Sequence, residues 1–221
     1  MRDISTQHQQ IYQALREQLI SGQFTPGTNV NARSLSQTMD VGLMPMRGAI
    51  TRLVGERALE VQRNGRFCVP ALTRHRFDEL MQARQQLEPL CAMRALPFMT
   101  AETLEEMEAC DRRVNQSYQT GDAEAYMREN YHFHFTLYRS GASEVLLPLL
   151  ESVWMQFGPF MRSVFTMDEK SDIVDKHQMA LDAIRRDDAQ ALGIAIQADI
   201  ADAVHLLKQT LGDAEPTTSG L

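Results

Sequence analysis

Apolar residues recur at three- and four-residue spacing through most of the chain, and the breaks in that rhythm fall at Gly, Pro, Ser and Asp. Ile11, Tyr12, Leu15, Leu19 and Ile20 give an amphipathic helix that stops at Ser21-Gly22, and residues 23–27 read as a turn. Between residues 33 and 69 the units shorten to a helix, a tight turn, a second helix and a hairpin. In that second helix Met46, Ala49, Ile50 and Leu53 form one buried stripe, and Pro45 suits its first turn. The opposite face then carries Met44, Arg47, Gly48 and Thr51. Leu59-Glu60-Val61 and Phe67-Cys68-Val69 flank Asn64-Gly65, which predicts a two-residue type I′ hairpin with positive φ at both central positions.

From Arg74 onward the helices are long. Phe77, Leu80, Met81, Arg84, Leu87 and Leu90 mark a helix of about 20 residues with Pro89 as a kink. Thr100 opens a second that Gly121 closes, and Asp122 caps a third that ends near Ser140-Gly141. Ser143 caps a fourth, whose Leu146, Leu149, Leu150, Val153 and Trp154 look like core. Gly158-Pro159 should break it, leaving a short piece to Met167. Two more helices fit 172–186 and 188–211. Apart from the hairpin no strand pattern is visible. The expected fold is mainly α: a winged helix-turn-helix over residues 1–72, an antiparallel α-helical bundle over 73–211, and a tail at 212–221 with disordered composition.

An exposed helix face with one guanidinium, slim neighbours and little negative charge suits the major groove of duplex DNA, and Arg63 and Arg66 at the hairpin tip suit a phosphate backbone or a minor groove. Charge supports this division. Residues 1–72 hold eight arginines against five acids, a net +3, while the remainder carries −10. Cys68, Cys91 and Cys110 are odd in number and scattered, which points to a reduced, cytoplasmic protein. The opening MRDISTQHQQ is too polar for a signal peptide, and no apolar run is long enough for a bilayer.

The segments LREQLISGQFTPGTNVN and RSLSQTMDVGLMPMRGAITRL, followed by the Asn64-Gly65 wing, resemble the GntR family of bacterial transcription regulators. The segments ARQQLEPLCAMRAL, NYHFHFTLYRSG and HQMALDAIRRDDAQAL resemble the FCD effector domain of its FadR-type subfamily. The resemblance implies DNA contacts at Arg33, Arg47 and the wing around Asn64 and Gly65, to which the face and tip residues Met44, Thr51, Arg63 and Arg66 are added. One departure matters. Where the family usually has Val-Ser-Arg-Thr-Pro-Val-Arg-Glu-Ala-Leu, this chain has Val41-Gly42-Leu43-Met44-Pro45-Met46-Arg47-Gly48-Ala49-Ile50. A helix cap, an Arg and a Thr are lost. Leu43 and Met44 offer apolar contact to thymine methyls instead, and Gly48 would let bare backbone approach the groove. A different operator is expected.

The resemblance also implies a metal set of Asn130, His134, His177 and Asp199, where the family usually has Asp, His, His and His. Two imidazoles, a carboxylate and an amide oxygen suit Zn²⁺, Ni²⁺, Mn²⁺ or Fe²⁺. Without the resemblance these would be ordinary surface or core residues. His132 and His205 fall off that face. Arg84 matches an Arg that points into the effector cavity of relatives and would clamp a small organic acid. An Arg84–Glu88 pair on a solvated face fits the spacing equally well. The expected protein is therefore a homodimeric transcription regulator, a repressor, that binds a pseudo-palindromic DNA operator and is gated by a small carboxylate at a metal site. It is not expected to be an enzyme or to meet a membrane. Two other readings fit the residues: a metal-dependent hydrolase built on the bundle site, and a DNA-binding dimer whose bundle serves only to dimerise.

Overall fold

A computed structural model describes the backbone of residues 4–71, 73–165 and 176–211, and the side chains of 7–71, 73–161 and 176–201. The expected tail at 212–221, the end of a helix near Met167, the start of another at 172 and the side chain of His205 lie outside the described residues. The chain order is α1 (Ile4–Ile20), β1 (Asn29–Val30), α2 (Ala32–Thr38), α3 (Leu43–Gly55), β2 (Glu60–Val61) and β3 (Phe67–Cys68), then α4 (Arg74–Ala95), α5 (Ala101–Thr120), α6 (Ala123–Ser140), α7 (Leu146–Phe165), α8 (Lys176–Arg185) and α9 (Ala189–Leu211). A single 3₁₀ turn, Leu96–Phe98, carries Pro97 and separates α4 from α5.

The helix ends form where side chains meet the orphan amides of the first turn. The Asn31 side chain accepts from the amides of Arg33 and Ser34, Thr73 from Arg76, Thr100 from Thr103, Asp122 from Ala125, Ser143 from Leu146 and Asp188 from Ala191. Gly121 ends α5 in the left-handed region at φ 73°. Gly42 starts α3 with no side-chain cap, consistent with the loss of the family's usual serine.

The sheet has three strands in the order β1-β3-β2, all antiparallel. Strand β1, two residues long, carries no periodic signal, so the sequence pattern did not show it. The hairpin tip also differs from expectation. The Gln62 amide donates to the Arg66 carbonyl at 2.8 Å and the Gly65 amide to the Gln62 carbonyl at 2.8 Å, so the loop has three residues between the paired positions. Gly65 alone takes positive φ, at 77°. Asn64 instead uses its side chain, accepting from the Arg66 amide at 3.0 Å. This is a turn followed by a glycine bulge rather than type I′.

The stripe Met46, Ala49, Ile50 and Leu53 is buried as expected, and it packs against Ile11, Leu15 and Leu19 of α1. The bundle core gathers Phe77, Met81, Phe133, Phe135, Leu137, Trp154, Phe157 and Phe160. These two sets are one continuous cluster, because α1 packs on α3 and also on α6 and α7. Helix α7 does not break at Gly158-Pro159. A Cβ on Gly158 would lie 2.3 Å from the Leu19 carbonyl oxygen and 2.6 Å from that of Ile20, so the glycine lets α7 press against the end of α1. Pro159 costs one helical hydrogen bond, which this packing offsets. Leu149, expected in the core, is 52% exposed, and Leu90 of α4 is 40% exposed, because the buried side of α4 runs instead through Arg84, Glu88 and Cys91. All three cysteines are buried free thiols. No described helix is long and apolar enough to cross a membrane.

Candidate functional site

Two regions carry unusual polar chemistry. On the first, Arg33, Arg47, Arg63 and Arg66 are all exposed, and none of their guanidinium groups has a hydrogen bond or ion pair among the described residues. Arg52 of α3 is otherwise occupied. It donates to Glu56 at 3.1 Å and to Gln9 at 3.3 Å, and lies 3.6 Å from the centre of the Tyr12 ring. Met44 is 76% exposed, and Thr51, Asn64 and Gly65 are exposed with it. Leu43 is turned inward against the core, so only Met44 offers the apolar contact expected of that pair. Gly48 is exposed on the same face, beside the side chain of His8. A Cβ there would come 3.1 Å from Cε1 of His8, so the glycine makes room for a side chain of α1.

The second region lies inside the bundle. His134 of α6, His177 of α8 and Asp199 of α9 each offer one ligand atom, and these atoms lie within 4.8 Å of one another. Nε2 of His134 is 3.3 Å and Nε2 of His177 is 3.9 Å from the Asp199 carboxylate. Nδ1 of His177 lies 2.9 Å from Oδ1 of Asp111 on α5, and the His177 ring stacks on Phe133 with centroids 3.9 Å apart. Asn130, one turn before His134, is half-buried and its amide makes no hydrogen bond among the described residues. His132 is exposed and outside the set.

The other edge of His134 is fixed by a chain of hydrogen bonds. Its Nδ1 is 3.2 Å from the Tyr138 hydroxyl, which donates to Oε2 of Glu88 at 2.8 Å. Burial, together with Glu88, pushes the Tyr138 phenol well above its usual range, so it keeps its proton. That proton goes to Glu88, so the phenol oxygen accepts from His134 and Nδ1 carries the hydrogen. In the neutral ring Nε2 is then a bare lone pair. It is completely buried, has no hydrogen-bond partner, and faces a carboxylate. Burial pushes the Asp199 carboxyl up; with a proton on Nε2 of His134, the hydrogen bond and charge of that ring, with His177 and Arg84, outweigh it and hold the carboxyl at about 2. A lone pair and an anion set this close call for a cation between them, either a proton on Nε2 or a metal ion. The donor set therefore fits a divalent metal of the imidazole-preferring kind.

Arg84 is neither on a solvated face nor fully open. It pairs with Glu88 at i, i+4 as the spacing allowed, but both side chains are buried. Its guanidinium lies in the corner formed by Trp154, at 4.5 Å, and Phe157, at 4.2 Å, whose rings are nearly perpendicular. Glu88 also accepts from Trp154 Nε1 at 3.0 Å. The Nε–Glu88 bond is the guanidinium's one hydrogen bond among the described residues. The sequence reading missed Glu88, Tyr138 and Asp111 as site residues. Two of them left a signal: Asp111 interrupts the buried spacing Met107, Cys110 and Val114, and Glu88 follows Arg84 on the buried side of α4.

With this geometry in view, comparison with known proteins is direct. Residues 7–69 match the family model for bacterial regulatory proteins of the gntR family, and residues 79–202 match that of the FCD domain. The HTH-type transcriptional regulator McbR of Escherichia coli (strain K12) is 24% identical over 184 residues, which is 82% of this chain and 83% of that protein. The gluconate operon transcriptional repressor of Bacillus licheniformis is 24% identical over 184 residues, covering 79% of this chain and 74% of its own length. The solved structure of E. coli McbR/YncC shares the fold, with a TM-score of 0.86 at 22% identity over 96% of this chain and 100% of that one. The chain belongs to the GntR family of bacterial regulatory proteins and is a transcription regulator, with an N-terminal helix-turn-helix domain joined to an all-helical FCD domain.

Proposed function

We propose that this chain is a FadR-type repressor that acts in the cytoplasm as a homodimer and is gated by a small organic acid, with no catalytic activity of its own. Its operator-binding unit is residues 1–72 and its sensing and dimerising unit is residues 73–211. The contacts to a pseudo-palindromic DNA operator come from Arg33, Met44, Arg47, Thr51, Arg63, Asn64, Gly65 and Arg66. Four exposed guanidinium groups without protein partners support that assignment, since phosphate and guanine contacts need the whole fork free. Relatives named as repressors favour repression over activation.

The sensing site is the buried one, and the observation that carries it is the partnerless Nε2 of His134 facing Asp199. His134, His177 and Asp199 would hold a divalent transition metal (Zn²⁺, Ni²⁺, Mn²⁺ or Fe²⁺), with the Asn130 amide oxygen as a weak fourth ligand. Bound there, the ion supplies open coordination positions for a carboxylate oxygen. Asp111 orients His177 in the manner of a carboxylate–histidine pair. Arg84, packed against two rings and anchored through Nε, offers its remaining N–H groups to the acid. Gating follows if the acid binds the DNA-competent arrangement and the released one with unequal affinity.

The test is metal analysis of the purified protein followed by thermal shift against a panel of small carboxylic acids. Trp154, the one tryptophan of the chain, lies 5.5 Å from the His134 ring and reports directly on the site through its fluorescence. The expected result is a stoichiometric metal, lost in His134→Ala together with the acid response, while binding to promoter DNA survives. A wild-type protein that takes up no metal and whose Trp154 emission ignores added Zn²⁺ would sink this reading.

A further inference from the structure

We infer that Tyr131 is the joint through which the state of the buried site reaches the DNA-binding domain, by way of Arg16. This rests on the reading of the His134–His177–Asp199 cluster as the sensing centre.

An unbroken set of contacts joins the two. Asp199 faces His134, and His134 meets Tyr138. Tyr138 and Trp154 both donate to Glu88. The Trp154 ring meets the Tyr131 ring edge-on at 5.8 Å, and Tyr131 stacks on Phe135 at 4.2 Å. The hydroxyl of Tyr131 leaves the bundle and accepts from Nη2 of Arg16 on α1 at 2.6 Å. From there α1 leads to α3. Tyr12, one turn before Arg16, donates to Glu56 at 2.7 Å, and Glu56 is held by Arg52 of α3. Helix α1 thus belongs to both halves of the molecule, and Arg16 is the residue where they meet through charge.

The junction is poised. Two guanidinium groups share one phenol oxygen, since Arg139 also donates to the Tyr131 hydroxyl, at 2.7 Å. They share one carboxylate as well: Glu151 lies 2.6 Å from Arg16 and 3.6 Å from Arg139. Arg16 is 7% exposed and its Nε has no hydrogen-bond partner among the described residues. Its partners are Tyr131, Glu151 and Gln13, and a buried cation loses heavily if one of them moves away. A small displacement of the Tyr131 ring therefore moves Arg16, or frees it. Beside their contact, α1 and α6 border a cleft of about 490 Å³ that Arg16, Tyr131 and Arg139 line. At its far end α1 is fixed by the close approach of Gly158 to Leu19 and Ile20. The end of α1 is thus tied to α7, and its middle is tied to α6 through Arg16 and Tyr131. Packed elements of this kind move between discrete arrangements, which is what coupling between two sites requires.

The experiment uses the full chain, with Zn²⁺ alone added to the site. Hydrogen exchange of the α1 amides is followed in the wild type and in Tyr131→Phe, which keeps the ring and removes only the hydroxyl. Zn²⁺ affinity is read in parallel from Trp154 fluorescence. In the wild type, Zn²⁺ is expected to change α1 exchange by about fivefold or more, the lower end of ordinary coupling. In Tyr131→Phe the affinity should stay within about twofold while the α1 response falls away. A structural role alone would weaken both proteins' helices without separating these two readouts. An equal α1 response in Tyr131→Phe, or Zn²⁺ binding to the wild type with no α1 response, overturns the inference.

If Zn²⁺ fails to bind the wild type, the sensing-site reading fails, and the junction is decided by a mutant cycle. Glu88→Gln disturbs the same network from inside, and its effect on α1 exchange should be lost when Tyr131 is already Phe. Additive effects would overturn the junction independently of any metal.

Discussion

Arginine does opposite work at the two ends of this molecule. At the front, Arg33, Arg47, Arg63 and Arg66 stand in solvent with no partner among the described residues. In the bundle, Arg84 is buried, packed against two rings and tied to Glu88. An exposed guanidinium costs the fold almost nothing and leaves its donors for an outside partner. A buried one must be paired, and its partners must be paired in turn. So the front should be separable from the rear: changing one should alter DNA affinity without stability, and changing the other should cost stability first.

The sharpest break of that division is Glu88→Ala. It strips an acceptor from Arg84, Tyr138 and Trp154 at once and leaves a buried cation unpaired. The expected loss is about 3–5 kcal/mol of folding stability, a large share of what a domain has. Urea unfolding followed by Trp154 emission measures it. A loss below about 1 kcal/mol would mean that Arg84 finds another partner or sits less buried than described.

Arg47→Ala is the counterpart at the front. Loss of one bidentate base or phosphate contact should cost about 1–3 kcal/mol of binding to promoter DNA, and unfolding should stay within about 0.5 kcal/mol of the wild type. Arg52→Ala is the control on the same helix. Arg52 is engaged with Glu56, Gln9 and Tyr12, so its removal should move stability more than sequence preference. If the two arginines exchange these effects, the DNA-facing side of α3 has been assigned wrongly.

The front was the more legible end because its signals are local. Helical spacing alone picked out Met46, Ala49, Ile50 and Leu53 and, by subtraction, the exposed Met44, Arg47 and Thr51. Even there, conformation escaped the pattern. Asn64-Gly65 is compatible with either a two-residue loop or a bulged three-residue one, and the Asn64 side chain bonding back to Arg66 decides between them. Strand β1 exists only because β3 offers it an edge, so two residues with no alternation could not announce it. In the bundle, spacing gave the helices but not which turns face one another. Asp111 and His177 are far apart in sequence and meet only when α5 packs on α8. Gly158-Pro159 spelled a helix break by every local rule, and the tertiary approach of α1 overrode them. Arg84 and Glu88 show the same limit from the other side: their i, i+4 spacing was readable, but their burial was not.

The smallest expected effect separates the two kinds of contact within the front itself. Arg66 sits at the wing, on a glycine-bulged tip that protrudes from the sheet, and its guanidinium has no partner among the described residues. Such a side chain reaches phosphate through charge and reads no base, so Arg66→Ala should weaken binding to every duplex alike. The expected change is about one unit in the slope of log affinity against log salt concentration, with the preference between promoter and random DNA unchanged. Arg47→Ala should do the reverse, lowering the preference along with the affinity, because a fork in the major groove meets base edges. Titrations of promoter and random duplex at several salt concentrations measure both quantities in one experiment. If Arg66→Ala also erodes the preference, the wing enters the minor groove and reads its width, and the division between a reading helix and a clamping wing is wrong.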